Sequence, residues 1–156
     1  MATTAQNNVV LKGRTLPFAV LTDGNGDINQ GDQVYVDTSA HLVKSLGAND
    51  DSNAATFIGV ALDSSYINPY GTKMYSPQIP VGIDGVYTFN TTSGDTYNEG
   101  DAVYVGADAQ TVTNTVGGLT KKIGFVKMRP SQSAVAGGSG VTIDVAIERQ
   151  FPVAGI

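Results

Sequence analysis

Gly31-Asp32-Gln33-Val34-Tyr35-Val36 returns 69 positions later as Gly100-Asp101-Ala102-Val103-Tyr104-Val105. An echo at a fixed offset marks an internal duplication, and a duplicated chain must satisfy the same fold twice. The match extends in both directions. Upstream, Gly26-Asp27 answers to Gly94-Asp95, and Phe18-Ala19-Val20-Leu21 to Val86-Tyr87-Thr88-Phe89. Downstream, Ala40 and Val43 answer to Ala109 and Val112, and Ile58-Gly59-Val60 to Ile123-Gly124-Phe125. Val81-Gly82-Ile83-Asp84 then pairs with Val141-Thr142-Ile143-Asp144. The halves run from about residue 15 to 84 and from 85 to 151 of one domain, 15–156.

Each half reads as strands. In Val34-Tyr35-Val36 and its copy the valines share one face and the tyrosine takes the other, because successive side chains alternate along a strand. The Gly-Asp before each run marks a turn, with glycine supplying unusual backbone angles and aspartate capping its own backbone. A glycine inside Ile-Gly-Val and Ile-Gly-Phe predicts a close approach by another backbone. Leu42, Val43 and Leu46 fit a short helix as well as a strand. Their counterpart, Gln110-Thr111-Val112-Thr113-Asn114, is a poor helix, so the duplication favours strand in both halves.

Composition agrees. Nineteen glycines, seven tyrosines and many Val, Ile and Thr residues, with few strong helix formers, suit pleated strands and tight turns. The expected fold class is all-β: a compact barrel-like or sandwich domain built from two related halves, hiding most strand edges. Residues 1–14 are polar and without periodicity, which predicts a flexible N-terminal arm. Ser64 to Pro80 falls outside the repeat and carries Pro69, Pro77 and Pro80, which argue against a central strand and for a structured loop or edge excursion.

The chain has no cysteine, so disulfides and thiolate metal sites are excluded. A formal charge of −5 with scattered basic residues repels phosphate backbones, so no nucleic-acid partner is expected. No apolar run approaches the ~20 residues that span a bilayer, and the first residues lack a secretory pattern. A soluble protein made in the cytoplasm, without a membrane partner, is the expectation.

Little points to catalysis. A Ser-His-Asp hydrolase would have to use His41, the only histidine, and its repeat counterpart is Gln110, which suggests an ordinary polar strand position. Asp23-Gly24-Asn25-Gly26-Asp27 begins like a calcium loop, but Ile28 stands where the sharp-turn glycine belongs and Val34 where the bidentate glutamate belongs. A hairpin turn explains it more simply. Asp50 and Asp51 sit in a turn of their own. Gly137-Gly138-Ser139-Gly140 lacks the lysine and helix of a phosphate loop and reads as a hairpin connection. No catalytic residue, metal ligand or cofactor is assigned, and the chain is read as a non-enzyme.

Aromatic side chains clustered with Met and Pro are what protein interfaces favour at their centres, although packing over the protein's own core uses the same residues. Candidate interface residues are Leu11, Leu16, Tyr66, Tyr70, Met74, Tyr75 and Phe151.

Gly-Asp-x-Val-Tyr-Val-Asp (31–37), Ala-Thr-Phe-Ile-Gly-Val-Ala-Leu-Asp (55–63), Gly-Val-Tyr (85–87), the second Gly-Asp-x-Val-Tyr (100–104) and the final Val-x-Ile strand (141–143) together resemble a family of tailed-phage head-decoration, or capsid cement, proteins. The likeness lies in the order of the motifs and covers most of the chain after residue 12. It implies a β domain on the outer capsid surface, often a homotrimer at threefold positions, with the major capsid protein as partner. The Tyr66–Pro80 stretch looks longer than is usual there. A tail-tube or fibre component, or less readily a hydrolase, is the competing reading.

Overall fold

In the computed structural model of the chain, which describes residues 3–20, 26–37, 41–46, 57–115 and 122–148, each copy of the repeated hexapeptide opens in the same turn. Gly31 and Gly100 take φ of +97° and +84°, the left-handed region open to glycine at no steric cost. The amides of Asp32 and Asp101 donate to the carbonyls of Asn29 and Asn98 at 3.0 and 3.1 Å. In return the amides of Asn29 and Asn98 donate to the Asp32 and Asp101 carboxylates at 3.0 and 2.8 Å. An Asn-x-Gly-Asp turn is thus built twice.

These turns launch β3 (Gln33–Asp37) and β11 (Ala102–Val105). Beside β3 lie β2 (Thr15–Ala19), β4 (Leu42–Ser45), β5 (Phe57–Ala61) and β8 (Gln78–Gly82), in the order β2-β8-β5-β3-β4. Beside β11 lie β9 (Gly85–Thr91), β12 (Thr111–Thr113), β13 (Gly124–Val126) and β15 (Thr142–Ile147), in the order β9-β12-β11-β13-β15, with β15 pairing back onto β9 to close a five-stranded barrel. Exchange β2, β8, β5, β3 and β4 for β9, β15, β13, β11 and β12, and the two rings coincide. Even the seam corresponds: β12 meets β9 in parallel at Val112↔Thr91, and the first half closes through one parallel bridge, Val43↔Val20. The fold is all-β with a barrel architecture, as the duplication predicts.

The interiors match residue by residue. Val34, Val43, Ile58, Ala61, Ile79 and Val81 fill the first, and Val103, Val112, Ile123, Val126, Ile143 and Val145 take the same places in the second. Each fully buried Val or Ile contributes about 1.5–3 kcal/mol of transfer free energy. Tyr35, Leu46, Phe57 and Val60 face the other way and join the core cluster of the second half. Both faces of β5 are therefore covered, which is why Phe57-Ile58-Gly59-Val60-Ala61 reads as an unbroken apolar run. The strand glycines mark the expected close approach: a Cβ on Gly59 would lie 2.0 Å from the Gly82 carbonyl oxygen, and one on Gly124 would lie 2.2 Å from that of Ala146.

The halves are also sewn together along their strands. β1 (Val9–Lys12) pairs with β9 through Leu11↔Val86 and Lys12↔Gly85, and β2 pairs with β8 from Thr15↔Gly82 to Ala19↔Gln78. Between them Ile83 N–H donates to the Arg14 carbonyl at 2.9 Å. One antiparallel register therefore continues from one barrel into the other.

Four expectations need correction. The segment predicted as a flexible arm over 1–14 is part of the fold from residue 3 onward. Thr3 Oγ1 donates to Asp32 Oδ1 at 2.6 Å, the Gln6 amide to the Gln30 carbonyl at 2.8 Å, and Asn8 Nδ2 to the Gly31 carbonyl at 3.2 Å, before β1 joins the sheet. Its polar residues are there to satisfy buried partners. Second, Pro80 lies inside a barrel strand. It sits opposite Pro17 in β2, and its carbonyl accepts from Leu62 N–H at 2.9 Å, just where β5 has ended, so the missing N–H costs no ladder bond. Third, pairing places Ile79-Pro80-Val81 over Ile143-Asp144-Val145 and Phe18 over Phe89, so the outer matches of the repeat slip by three or four residues. Fourth, His41 is a turn residue, as is Gln110.

Candidate interaction site

Between β5 and β8 the chain leaves the first barrel as a hairpin, β6 (Tyr66–Ile67) with β7 (Met74–Tyr75). Cross-strand pairing sets Tyr66 against Tyr75 and Ile67 against Met74. Because neighbours in a strand point to opposite faces, the two tyrosines share one side and Ile67 and Met74 the other. The tyrosine side looks inward, with ring centroids 6.2 Å apart. The other side is bare: Ile67 is 61 % exposed, Met74 55 %, and Tyr70 at the tip 91 %.

The base of the hairpin is held firmly. Buried Ser65 accepts Ile28 N–H on its hydroxyl at 2.9 Å, and its amide donates to the Ile28 carbonyl at 2.9 Å. Ser76 N–H donates to the Ser65 carbonyl at 2.9 Å, closing the ladder below Tyr66. Tyr66 OH donates to Asn29 Oδ1 at 2.9 Å. Lys73 pairs with Asp27 and lies 4.5 Å from the centre of the Tyr66 ring. That hydrogen bond to Asp27 raises the Lys73 ammonium above its ordinary pKa. From Ser64 to Gln78 Lys73 is the sole charged residue. A charge-poor, aromatic and Met-bearing projection on an acidic protein has the composition of an interface centre.

The structure separates the sequence candidates. Tyr70 and Met74 stand on the exposed side of the hairpin, and Tyr66 and Tyr75 brace it from beneath. Leu11, 62 % exposed, is elsewhere, on β1. Leu16 packs half-buried against the core of the first half. Phe151 lies outside the described residues, as do Asp23, Asn25, Asp50 and Asp51. Sequence reading missed Ile67 and Val10, the latter 51 % exposed beside Leu11. The signal for Ile67 was its place one step from Tyr66 in a two-residue strand, too short a run for periodicity to register.

The other groups that suggest chemistry lie apart from the hairpin. His41 is exposed at φ +55°, with its amide donating to the Asp37 carbonyl at 2.7 Å. Asp32 is deeply buried at the junction of the barrels. Burial pushes its carboxyl up, against hydrogen bonds from Thr3, Asn29, Ser45 and Gln110 that hold it down. An open concavity of about 660 Å³ beside Pro130 has two cations in its wall, and both are paired: Lys127 with Glu99, and Arg129 with Asp144 in a two-point contact of 2.8 and 3.0 Å. Among the described residues no three His, Asp or Glu side chains gather closely enough to hold a metal ion.

Compared with known proteins, the chain matches no family model and no curated protein.

Proposed function

We propose that the protein is a structural virion component: a head-decoration (cement) protein that binds the outer surface of a bacteriophage capsid and bridges neighbouring major capsid protein subunits. The observation that carries this reading is the braced hairpin with Ile67, Tyr70 and Met74 displayed on its free side. Exposed apolar side chains on a rigid mount lose little conformational entropy on docking, which is how a small patch becomes an energetic centre. The resemblance of the motif order to that of decoration proteins supplies the choice of partner. Packed DNA drives capsomers apart, and a protein gripping two of them must lose contacts before they separate. A homotrimer multiplies each modest contact through effective concentration.

The test is to mix purified protein with undecorated heads and image them. Bound density at fixed lattice positions is expected, together with an occupancy at least tenfold lower for a Tyr70→Ser/Met74→Ser double variant whose unfolding free energy stays within about 0.5 kcal/mol of wild type. Heads that stay bare with the wild-type protein would remove the reading.

One observation favours a second reading, a tail-tube component. Among the described residues β1 is the end strand of its sheet, with Val10 and Leu11 exposed, and an apolar edge of this kind invites strand addition between copies. Filaments or stacked rings of the pure protein would support the tube over the head.

A further inference from the structure

Asn29 lies where two otherwise separate parts of the chain meet, and both ends of its amide are used. Its Nδ2 donates to the Thr3 carbonyl and to Thr3 Oγ1, each at 3.0 Å, and its Oδ1 accepts from Tyr66 OH at 2.9 Å. Its backbone is fixed independently by the Asp32 carboxylate, which also takes a bond from Thr3 Oγ1. Asn29 thus bonds through its side chain both to the N-terminal segment and to Tyr66 of the hairpin, next to Gln30, whose backbone meets Gln6 and Ser64.

We propose that Asn29 is a positioning residue that couples the N-terminal segment to the β6–β7 hairpin, so that the two form a single recognition surface whose geometry is set by Thr3. The physical basis is the two-ended amide. An asparagine side chain has a terminal torsion with broad preferences, and it offers donors at one end and an acceptor at the other. Two bonds from Nδ2 to Thr3 fix the plane of the group and hence the direction in which Oδ1 faces. Only with that direction fixed does the Tyr66 hydroxyl have a stationary acceptor. Tyr66 is the paired neighbour of Tyr75 and the surface on which Lys73 rests, so holding its ring holds the base of the hairpin. Displacing Thr3 frees the amide to rotate, and the hairpin loses its side support while both barrels stay intact. A partner that pulls on the first residues would therefore alter the display of Ile67, Tyr70 and Met74 without touching them.

The inference rests on reading the hairpin as the docking element, and its test is chosen to be independent of that reading. Hydrogen exchange at the amides of Ile67 and Met74, followed by NMR in full-length protein, is measured for Thr3→Ala, Tyr66→Phe and the double variant, with and without Asn29→Ala. Tyr66→Phe is expected to speed exchange in the hairpin about tenfold and Thr3→Ala, which removes the hydroxyl but keeps the carbonyl bond to Asn29, by less, both leaving the Val103 and Val145 amides of the second barrel unchanged. The double variant is expected to exchange no faster than Tyr66→Phe alone, since one relay is broken only once. In the Asn29→Ala background neither substitution should have a further effect. Strict additivity of Thr3→Ala and Tyr66→Phe, or equal acceleration throughout the barrels, overturns the proposal whether or not the protein binds heads. If heads are bound, Thr3→Ala should lower occupancy along with the hairpin's protection; failure of binding by the wild-type protein would sink the docking reading and leave the exchange result standing.

Discussion

Residues 62–77 and 127–141 leave the two barrels at equivalent places, after β5 and β13, and return at equivalent places, into β8 and β15. They are nearly equal in length. The second lies down. Its Met128 and Val135 pack against the core of its own half, β14 (Val135–Ala136) pairs with β10 (Thr96–Tyr97), and Arg129 clamps Asp144 on the outside of β15. The first stands up, pairs with itself, and turns Ile67, Tyr70 and Met74 to solvent. The exposure of the hairpin therefore does not follow from the connector's length or from the barrel topology, since under the same topology the other connector lays Met128 and Val135 against a core. It follows from where the apolar residues are placed.

The comparison can be broken or sharpened by substitution. The largest effect is expected where the barrels are claimed to be equivalent. Gly59→Ala and Gly124→Ala each drive a methyl group into a carbonyl oxygen of the next strand, so each should cost about 3 kcal/mol in denaturant unfolding. A large loss at one site and none at the other would undo the equivalence.

A smaller effect belongs to the buried clamp of the second connector. Asp144→Asn should cost about 2 kcal/mol near neutral pH, because the carboxylate accepts from Arg129 and, at 2.8 Å, from Thr88. The Arg129 guanidinium holds the Asp144 carboxyl below its usual value. Stability from this group is thus full above the ordinary carboxylate pKa near 3.8 and is lost as pH falls through the lower folded value. The acid limb of a stability–pH curve should accordingly be shallower in the variant. Asp32 acts in the opposite sense. Its folded pKa is raised, so its contribution weakens as pH rises through that value.

The smallest effect concerns the first connector's mount. Ser65→Ala orphans the Ile28 amide and should cost about 1 kcal/mol. Its imprint should appear as faster amide exchange confined to residues 66–75; a global change would mean that the hairpin is part of the barrel's own stability.

What could be read from the sequence was what is local and repeated. The Gly-Asp turns, the Val-Tyr-Val strands and the crossing glycines at 59 and 124 each declare themselves within six residues, and each appears twice. The N-terminal segment was illegible because its partners are remote: Thr3 bonds Asp32 and Thr4 bonds Gln110, which leaves no periodic trace. Pro80 misled because a strand proline is harmless where the neighbouring strand has just ended. Of the candidate surface, the clustering of Tyr70 and Met74 was visible, while the inward turn of Tyr66 and Tyr75 depended on a pairing register that two-residue strands cannot announce.

The shared ribbon of β1–β2 against β9–β8 has a consequence for how the molecule comes apart. In a chain of independent barrels, one could slide its strands or melt while the other waited. Here a one-residue slip anywhere along the ribbon would turn Leu16 and Phe18 outward at one end and misalign Val86 and Tyr87 at the other, so both interiors veto it at once. The two barrels are therefore expected to melt in a single calorimetric transition, and a pull on either one would load the ribbon's hydrogen bonds in shear.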